Sequence, residues 1–167
     1  MRGTERMPKV TAIGMLVALA RVASGATGPP ALQLSEKELG AERYEYFTKT
    51  SQMPQDIRQG LARQLEQRDL QMADASMPFN SGDAIVDPSL PSHRLIVAAV
   101  GAKYVVVHFE RGGVALTRWA VVFERTNSGL STLWHGVINE AYREPKELEA
   151  AIRTGRLWKA STKPARP

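Results

Sequence analysis

The second half of the chain consists of runs rich in β-branched and aromatic residues, separated by short polar segments. Four such runs begin near Arg94 and read RLIVAAV, KYVVVHFE, VALTRWAVVFE and LSTLWHGV. They are divided by Gly101, by the Gly112-Gly113 pair and by the segment TNSG at 126–129. Short separators that contain Gly and Asn are typical of hairpin turns. The pattern therefore predicts an antiparallel β-meander of four or five strands.

The segment from Leu32 onward has the apolar spacing of a helix. Ser35 and Glu38 have the form of a capping box, and the helix that follows would carry Leu39, Tyr46 and Phe47 on one side. Residues 48–54 are predicted to interrupt the helix, because the position before a proline disfavours helical geometry.

A second helix is predicted over residues 55–73, where Ile57, Leu61 and Leu65 recur every four residues and Met72 follows seven later. The first two helices are expected to be antiparallel neighbours. A third helix is predicted for EPKELEAAIRTG, because Pro145 suits a first helical turn and Gly155 suits a left-handed cap.

Residues 74–94 are rich in Pro, Ser, Asp, Asn and Gly, which favour turns. A long surface connection is predicted there, with a short strand at residues 84–86. Long ordered loops often carry function, so this loop is a candidate binding site. Asn80, Asp83 and Asp87 could hold a hard cation through oxygen, but turn chemistry explains them without a metal, and the EF-hand spacing is absent.

The Gly112-Gly113 pair predicts the register of the central hairpin. If these two residues form a two-residue turn, His108 lies opposite Thr117 and Phe109 lies opposite Leu116. Both faces of the hairpin are then mostly apolar. Helices, further strands or a partner must therefore cover each face.

His108 and Glu110 project to the same side of their strand, so they could form an acid/base pair or contact one ligand. The alternative is structural, with Glu110 forming a surface ion pair with the neighbouring Arg111. Neither the dinucleotide-binding nor the Walker glycine pattern is present.

Two further residues of the β half are candidates for binding, Trp134 and His135. The indole of Trp134 could serve as a platform for a sugar or peptide, although core packing also explains it. His93, His108 and His135 could converge after folding, but they lack the spacing of a zinc site. The sequence therefore predicts no metal site and no cofactor.

The N-terminus has the three parts of a secretory signal peptide. Arg2, Arg6 and Lys9 precede an apolar run over residues 10–20, and small residues follow in ASGA. The run is shorter than the ~20 residues that span a bilayer as a helix. Residues 1–26 are predicted to be a signal peptide, with the start at Met1 or Met7, and the mature chain is not expected to span a membrane.

The excess of positive charge lies at the two ends of the chain. The net charge is +5, but nine of the 22 basic residues lie before residue 27 or after residue 152, together with only one of the 17 acidic residues. The middle of the chain is mildly acidic, which argues against a nucleic-acid partner. The absence of cysteine excludes disulfides, zinc–thiolate sites and cysteine nucleophiles.

These patterns predict a single α+β domain over residues 27–159, followed by a flexible basic tail at 160–167. The predicted order is two N-terminal helices, a four- or five-stranded antiparallel meander and a C-terminal helix. The export signal, the two apolar sheet faces and the lack of a strong catalytic pattern favour a non-enzymatic binding or inhibitor-like module of the cell envelope, acting on a protein, peptide or glycan. The alternatives are a small envelope enzyme using His108 and Glu110, and a structural subunit of an envelope assembly. A sheet face could also hold two copies of the chain together as a homo-oligomer.

Overall fold

The computed structural model describes residues 36–85 and 87–159, which form an α+β fold with one five-stranded sheet. Every strand is antiparallel to its neighbour, and the order in the sheet follows the order in the chain. The strands are β1 (Glu45–Phe47), β2 (His93–Val100), β3 (Tyr104–Arg111), β4 (Thr117–Thr126) and β5 (Gly129–Ile138). The predicted fold class and meander are confirmed. The predicted signal peptide at 1–26 and the predicted basic tail at 160–167 lie outside the described residues.

Helices cover both faces of this sheet. The helices are α1 (Glu36–Ala41), α2 (Gln55–Gln64), α3 (Pro145–Arg153) and α4 (Arg156–Lys159). Helices α1, α3 and α4 contribute to the core on one face, whereas α2 packs on the opposite face. Within residues 36–85 and 87–159, none of the helices has the length and apolar character needed to cross a membrane.

The two faces enclose separate cores, which we call the α3-side core and the α2-side core. The α3-side core consists of Leu39, Ile96, Val97, Ala99, Tyr104, Val106, Ala120, Val122, Ile138, Tyr142, Leu148, Ala151, Ile152 and Leu157. The α2-side core consists of Met53, Ile57, Leu61, Met72, Leu95, Ala98, Val105, Val107, Phe109, Val121 and Phe123. A sheet that is apolar on both faces is stable only when each face is covered, and the helices provide that cover.

Helix α3 begins and ends as the sequence predicts. Its N-cap is Glu144, and the Glu147 carboxylate accepts hydrogen bonds from the backbone N–H groups of Glu144 and Arg143 at 3.2 and 2.8 Å. Beyond its C-terminal end, Gly155 has a φ of +68°, the left-handed conformation that glycine adopts most readily. The helix therefore presents its apolar side to the sheet with both ends satisfied.

The first predicted helix is wrong beyond Ala41. Tyr46 and Phe47 belong instead to β1, which pairs with Ala98 and Ala99 at the edge of the sheet. The carboxylate of Glu42 accepts hydrogen bonds from the backbone of the β2–β3 turn, so the chain leaves the helix at this point. Helix α1 lies beside α3, and the two N-terminal helices occupy opposite faces of the sheet rather than forming an antiparallel pair.

Helix α2 begins at Gln55 as predicted but ends at Gln64, nine residues before the predicted end. Glu66 adopts a φ of +56°, and the N–H of Gln67 donates to the carbonyl of Ala62 at 2.9 Å. This is the geometry of a Schellman-type helix end, formed without the glycine that signals it in a sequence. Met72 reaches the α2-side core from a non-helical segment.

The predicted register of the β3–β4 hairpin is wrong by three residues. The structure pairs Arg111 with Thr117, so residues 112–116 form a five-residue loop instead of a two-residue turn. Phe109 consequently lies opposite Trp119, and Glu110 lies opposite Arg118. The predicted register would have placed Arg118 opposite the buried Val107. The observed register pairs opposite charges and apolar residues across the strands, which stabilises a sheet.

Gly112 packs against the backbone of the 74–92 loop. A Cβ atom at this position would lie 1.9 Å from the carbonyl oxygen of Asn80, whereas a Cβ at Gly82 would meet nothing within 4 Å. We predict that Gly112→Ala lowers the free energy of unfolding by about 1–3 kcal/mol, because backbone atoms cannot move aside cheaply. Urea denaturation measures this change.

Gly82→Ala is the matched control, and its effect should be within about 0.5 kcal/mol of zero. Equal stabilities of the two variants would show that Gly112 does not have to approach the loop backbone so closely.

Candidate functional site

His108 and Glu110 lie on the same side of β3, as predicted, and both are buried. They continue the series of every second residue that begins with Tyr104 and Val106, which belong to the α3-side core. The ring of His108 lies beside the ring of Tyr142, with 5.8 Å between the centroids. The strand therefore directs both candidate residues toward the α3 side of the sheet.

The environment of His108 is that of a neutral, enclosed histidine. The side chain has no exposed surface, and its Nδ1 lies 2.9 Å from the carbonyl oxygen of Trp119. Because a carbonyl can only accept, Nδ1 carries the proton and Nε2 is left as an acceptor. Burial lowers the pKa of His108 to about 4, against an ordinary 6.5. Acid/base work at neutral pH needs contact with substrate and a pKa nearer 7, so this placement favours the structural interpretation.

Glu110 is 3% exposed, and its charge is balanced by two arginines from neighbouring strands. Its Oε2 accepts hydrogen bonds from Nη2 and Nε of Arg94 at 2.5 and 2.9 Å, and its Oε1 lies 3.7 Å from Nε of Arg118. We call these three residues the Glu110 cluster. The ion pair with Arg111 suggested by the sequence is not found. Cross-strand neighbours replace it, since β3 is flanked by β2 and β4.

Three buried side-chain atoms near the Glu110 cluster have no hydrogen-bond partner of good geometry among the described residues: Nε2 of His108, Nε of Arg118 and the hydroxyl of Tyr142. Burial, with the neighbouring Glu140 carboxylate, raises the pKa of Tyr142 to about 12. Buried polar atoms are usually paired with protein or ordered water. Their concentration around one cluster marks this region as more polar than a core requires.

A small cavity opens beside the Glu110 cluster. It has a volume of about 270 Å³ and is lined by Ala75, Ser76, Arg94, Leu95, Ile96, Glu110 and Arg143. A shallower groove of about 600 Å³ lies on the other side of the β5–α3 connection, where Tyr142, Lys146 and Arg156 contribute to its wall. The sequence did not indicate Arg94, Arg118 or Arg143 as site residues. The correct hairpin register would have indicated Arg118, since it places this residue opposite Glu110.

The candidate residues Asp83 and Asp87 are exposed and bind their own loop. Asp83 accepts a hydrogen bond from the N–H of Ala84, and Asp87 accepts from the N–H and the hydroxyl of Ser89. The bonds from Ser89 lower the pKa of the Asp87 carboxyl. These contacts are the turn chemistry that competes with a metal role. Ala84 and Ile85 are not in a strand, so the predicted strand at 84–86 is wrong for its two described residues.

Asn80 orders the centre of this loop. Its side-chain amide donates to the carbonyls of Asp87 and Leu90 at 2.7 and 2.8 Å, and its N–H donates to the carbonyl of Pro91. The N–H of Gly112 donates to the carbonyl of Ser92 at 2.8 Å. The loop and the β3–β4 hairpin tip are therefore joined at one end of the sheet.

Large apolar side chains are exposed at this same end. Within the described ranges, the exposed large hydrophobic residues are Met77 (55%), Ile85 (71%), Val114 (95%) and Leu116 (45%). All four belong either to the loop that Asn80 orders or to the hairpin tip that contacts it. We call this surface the apolar end. Leu116 was predicted to pack on Phe109, and the shifted register places it on the surface instead.

Trp134 and His135 lie on opposite faces of β5 and do not form one site. Trp134 packs partly against the α3-side core, whereas the His135 ring lies parallel to that of Trp119 on the other face, 6.5 Å away. His93 is also buried on the α2 side, beside Phe109. The three histidines are therefore not gathered together, and nowhere among residues 36–85 and 87–159 do three His, Asp or Glu side chains group closely enough to hold a metal ion.

Both buried histidines should make stability depend on pH. Burial lowers the pKa of His93 and His108 to about 4, so between pH 6.5 and 4 the unfolded chain binds protons that the folded protein does not. Stability is therefore full above pH 6.5 and falls as the pH decreases toward 4. We predict a loss of about 2 kcal/mol per histidine between pH 7.5 and 5, measured by urea denaturation.

His108→Asn keeps a donor for the Trp119 carbonyl and removes the titrating ring. It should reduce the pH-dependent loss by about half, and adding His93→Asn should remove most of the remainder. An unchanged loss in the His108 variant would contradict the neutral, buried state of this histidine.

Comparison with models of protein families, with curated proteins and with solved structures finds no match to this chain. The site must therefore be interpreted from its own geometry.

Proposed function

We propose that this protein is an exported, non-enzymatic module that binds a protein partner in the cell envelope through its apolar end. One observation carries the proposal. The four exposed large hydrophobic residues of the described chain all lie in two loops that contact each other. Monomeric proteins rarely expose grouped apolar surface, and such surface is typical of interaction sites.

The order within these loops supports binding. Asn80 bonds three carbonyls across the 74–92 loop, and Gly112 seats the hairpin tip on the loop backbone. A loop that is already ordered loses less conformational freedom when it binds, which increases affinity. Exposed loops on a rigid sheet are also where binding proteins commonly place their contact residues.

The composition of the apolar end favours a protein over a glycan as the partner. Exposed Val114, Ile85 and Met77 offer aliphatic surface, and Asp83 and Asp87 lie in the same loop as polar neighbours. An apolar centre with a polar rim is the usual organisation of a protein interface. Trp134, the residue best suited to stack on a sugar, is half-buried against the α3-side core.

The predicted export signal and the enclosure of His108 also support the proposal. The charged, apolar and small-residue order of residues 1–26 supports export. The enzyme alternative depends on His108, whose ring is enclosed and bonded only to a backbone carbonyl. We therefore favour a binding or inhibitor-like role over an enzyme that uses His108 and Glu110 as an acid/base pair.

The test is affinity capture from the envelope fraction with the wild-type chain and with Val114→Asp as baits. Val114 is 95% exposed, so the substitution removes apolar contact area without affecting the core. We predict that recovery of the specifically captured protein falls about tenfold or more, because a central apolar contact can contribute over ~2 kcal/mol to binding. Quantitative mass spectrometry measures the recovery.

Asn127→Asp is the matched control, since it adds the same charge at the exposed β4–β5 turn, at the opposite end of β4. It should leave recovery unchanged. Equal recovery with the wild-type and Val114→Asp baits would refute binding through the apolar end. The same conclusion follows if light scattering shows a monomer and the wild-type bait captures no specific protein.

A further inference from the structure

The cavity beside the Glu110 cluster is lined by both charged and apolar residues. Arg94, Arg143 and Glu110 supply its charges, whereas Ala75, Leu95 and Ile96 supply its apolar wall. Arg118 lies on the other side of Glu110, with its Nε 3.7 Å from Oε1. Arg94 and Arg118 pair with Glu110, and Arg143 lines the same cavity, so the region has an excess of positive charge that a bound anion would balance.

Arg94 is held in a fixed orientation at the wall of this cavity. Glu110 binds its Nε and Nη2, the Met77 carbonyl lies 3.4 Å from its Nη1, and its guanidinium lies 4.3 Å from the centroid of the Phe79 ring. A guanidinium has five N–H donors, and these contacts leave some of them for a ligand. Because Arg94 is ordered in advance, binding an anion would cost little side-chain freedom.

One buried donor of the Glu110 cluster makes no hydrogen bond. The Nε–H of Arg118 is buried and unbonded in the described part of the chain, and Oε1 of Glu110 lies 3.7 Å away, at the distance of an ion pair. The N–H donors of Arg94 and Arg118 therefore outnumber the two oxygens of Glu110. Buried donors without acceptors are rare in folded proteins, and an absent ligand or water is a usual reason.

We propose that this cavity binds a carboxylate with a short apolar stem, held between the guanidinium groups of Arg94 and Arg143. Planar guanidinium groups match the two oxygens of a carboxylate. The apolar wall would receive the carbon atoms next to the carboxylate, which a purely inorganic anion lacks. The volume of about 270 Å³ suits a small molecule or the terminal residue of a peptide. The carboxylate could belong to a free acid or to the C-terminus of a peptide.

The test is a nuclear magnetic resonance titration of the ¹⁵N-labelled protein with butyrate, against sodium chloride at equal ionic strength. Saturable shifts are expected at the amides of Ser76, Leu95 and Ile96, with a dissociation constant of about 1–10 mM for a ligand of this size. Arg143→Gln should weaken binding about tenfold, since it removes a charge-assisted contact. Lys146→Gln, an exposed basic position on α3 outside this cavity, is the matched control and should change affinity less than about twofold.

Three results would each overturn the proposal: no saturable shift with butyrate, unchanged affinity in Arg143→Gln, or inorganic phosphate binding at the same amides as tightly as butyrate. A tripeptide with a free C-terminus and its C-terminal amide distinguish the two sources. If the tripeptide with the free C-terminus binds and its amide does not, the ligand is a chain terminus. If butyrate binds and neither peptide does, the ligand is a free acid.

The residues that line this cavity differ from the four exposed residues of the apolar end. Val114→Asp should leave butyrate binding unchanged, and Arg143→Gln should leave partner capture unchanged. The failure of one proposal is therefore distinguishable from the failure of the other.

Discussion

The ion pair between the buried Glu110 and the half-buried Arg94 organises the end of the molecule on which both proposed sites depend. Glu110 comes from β3 and Arg94 from β2, and the two residues lie opposite each other in the register of these strands. Their side chains therefore add a link between neighbouring strands that backbone hydrogen bonds already join. Arg94 then bonds the carbonyl of Met77 and stacks on Phe79, which brings in the 74–92 loop. That loop in turn seats the hairpin tip at Gly112. One charge pair thus connects sheet, loop and hairpin.

A buried ion pair is not necessarily a large contributor to stability. Removing two charges from water costs several kcal/mol, and their mutual attraction often only offsets that cost. Its main effect is on geometry, because the buried carboxylate of Glu110 would be strongly unfavourable without a partner. Glu110 therefore restrains where Arg94 can lie, and Arg94 restrains the loop.

The coverage of the sheet explains why this end remains open. Helices α1, α3 and α4 cover one face and α2 covers the other, so the middle of the sheet is enclosed in two apolar cores. Strand β1 pairs with only the last three residues of β2. On the same edge, the described structure pairs the N-terminal part of β2 only through a parallel bridge between Ala73 and Arg94. The cavity and the apolar end lie near this less covered part of the sheet.

The sequence predicted those features that have strong local signals. The four β runs, their antiparallel order and helix α3 were all predictable, because alternation, turn residues and caps act over a few positions. The end of α2 was not, because Glu66 takes a left-handed conformation that its residue type does not signal. The first helix was extended too far because Tyr46 and Phe47 suit a helix face and a strand equally, and pairing with β2 decides between them.

The hairpin shows how a local error propagates to the site. The Gly112-Gly113 pair is a strong signal for a two-residue turn, but it assigns Arg118 to an apolar neighbour and misses its charge pair with Glu110. Cross-strand complementarity over the whole hairpin favours the observed register. His108 and Glu110 could be predicted to share a face, whereas the arginines around Glu110 depend on long-range pairing and could not.

The most direct test of the organising role of Glu110 is hydrogen exchange in Glu110→Gln. The amides of Met77, Asn80 and Gly112 are each hydrogen-bonded at this end. We predict that they exchange about tenfold faster or more in the variant. The amide of Arg125, which donates to the carbonyl of Lys103 at the opposite end, serves as the internal reference. The control variant is Glu149→Gln, which removes a carboxylate from an exposed ion pair with Arg153. Unchanged exchange at Met77, Asn80 and Gly112 in Glu110→Gln would contradict the organising role of Glu110.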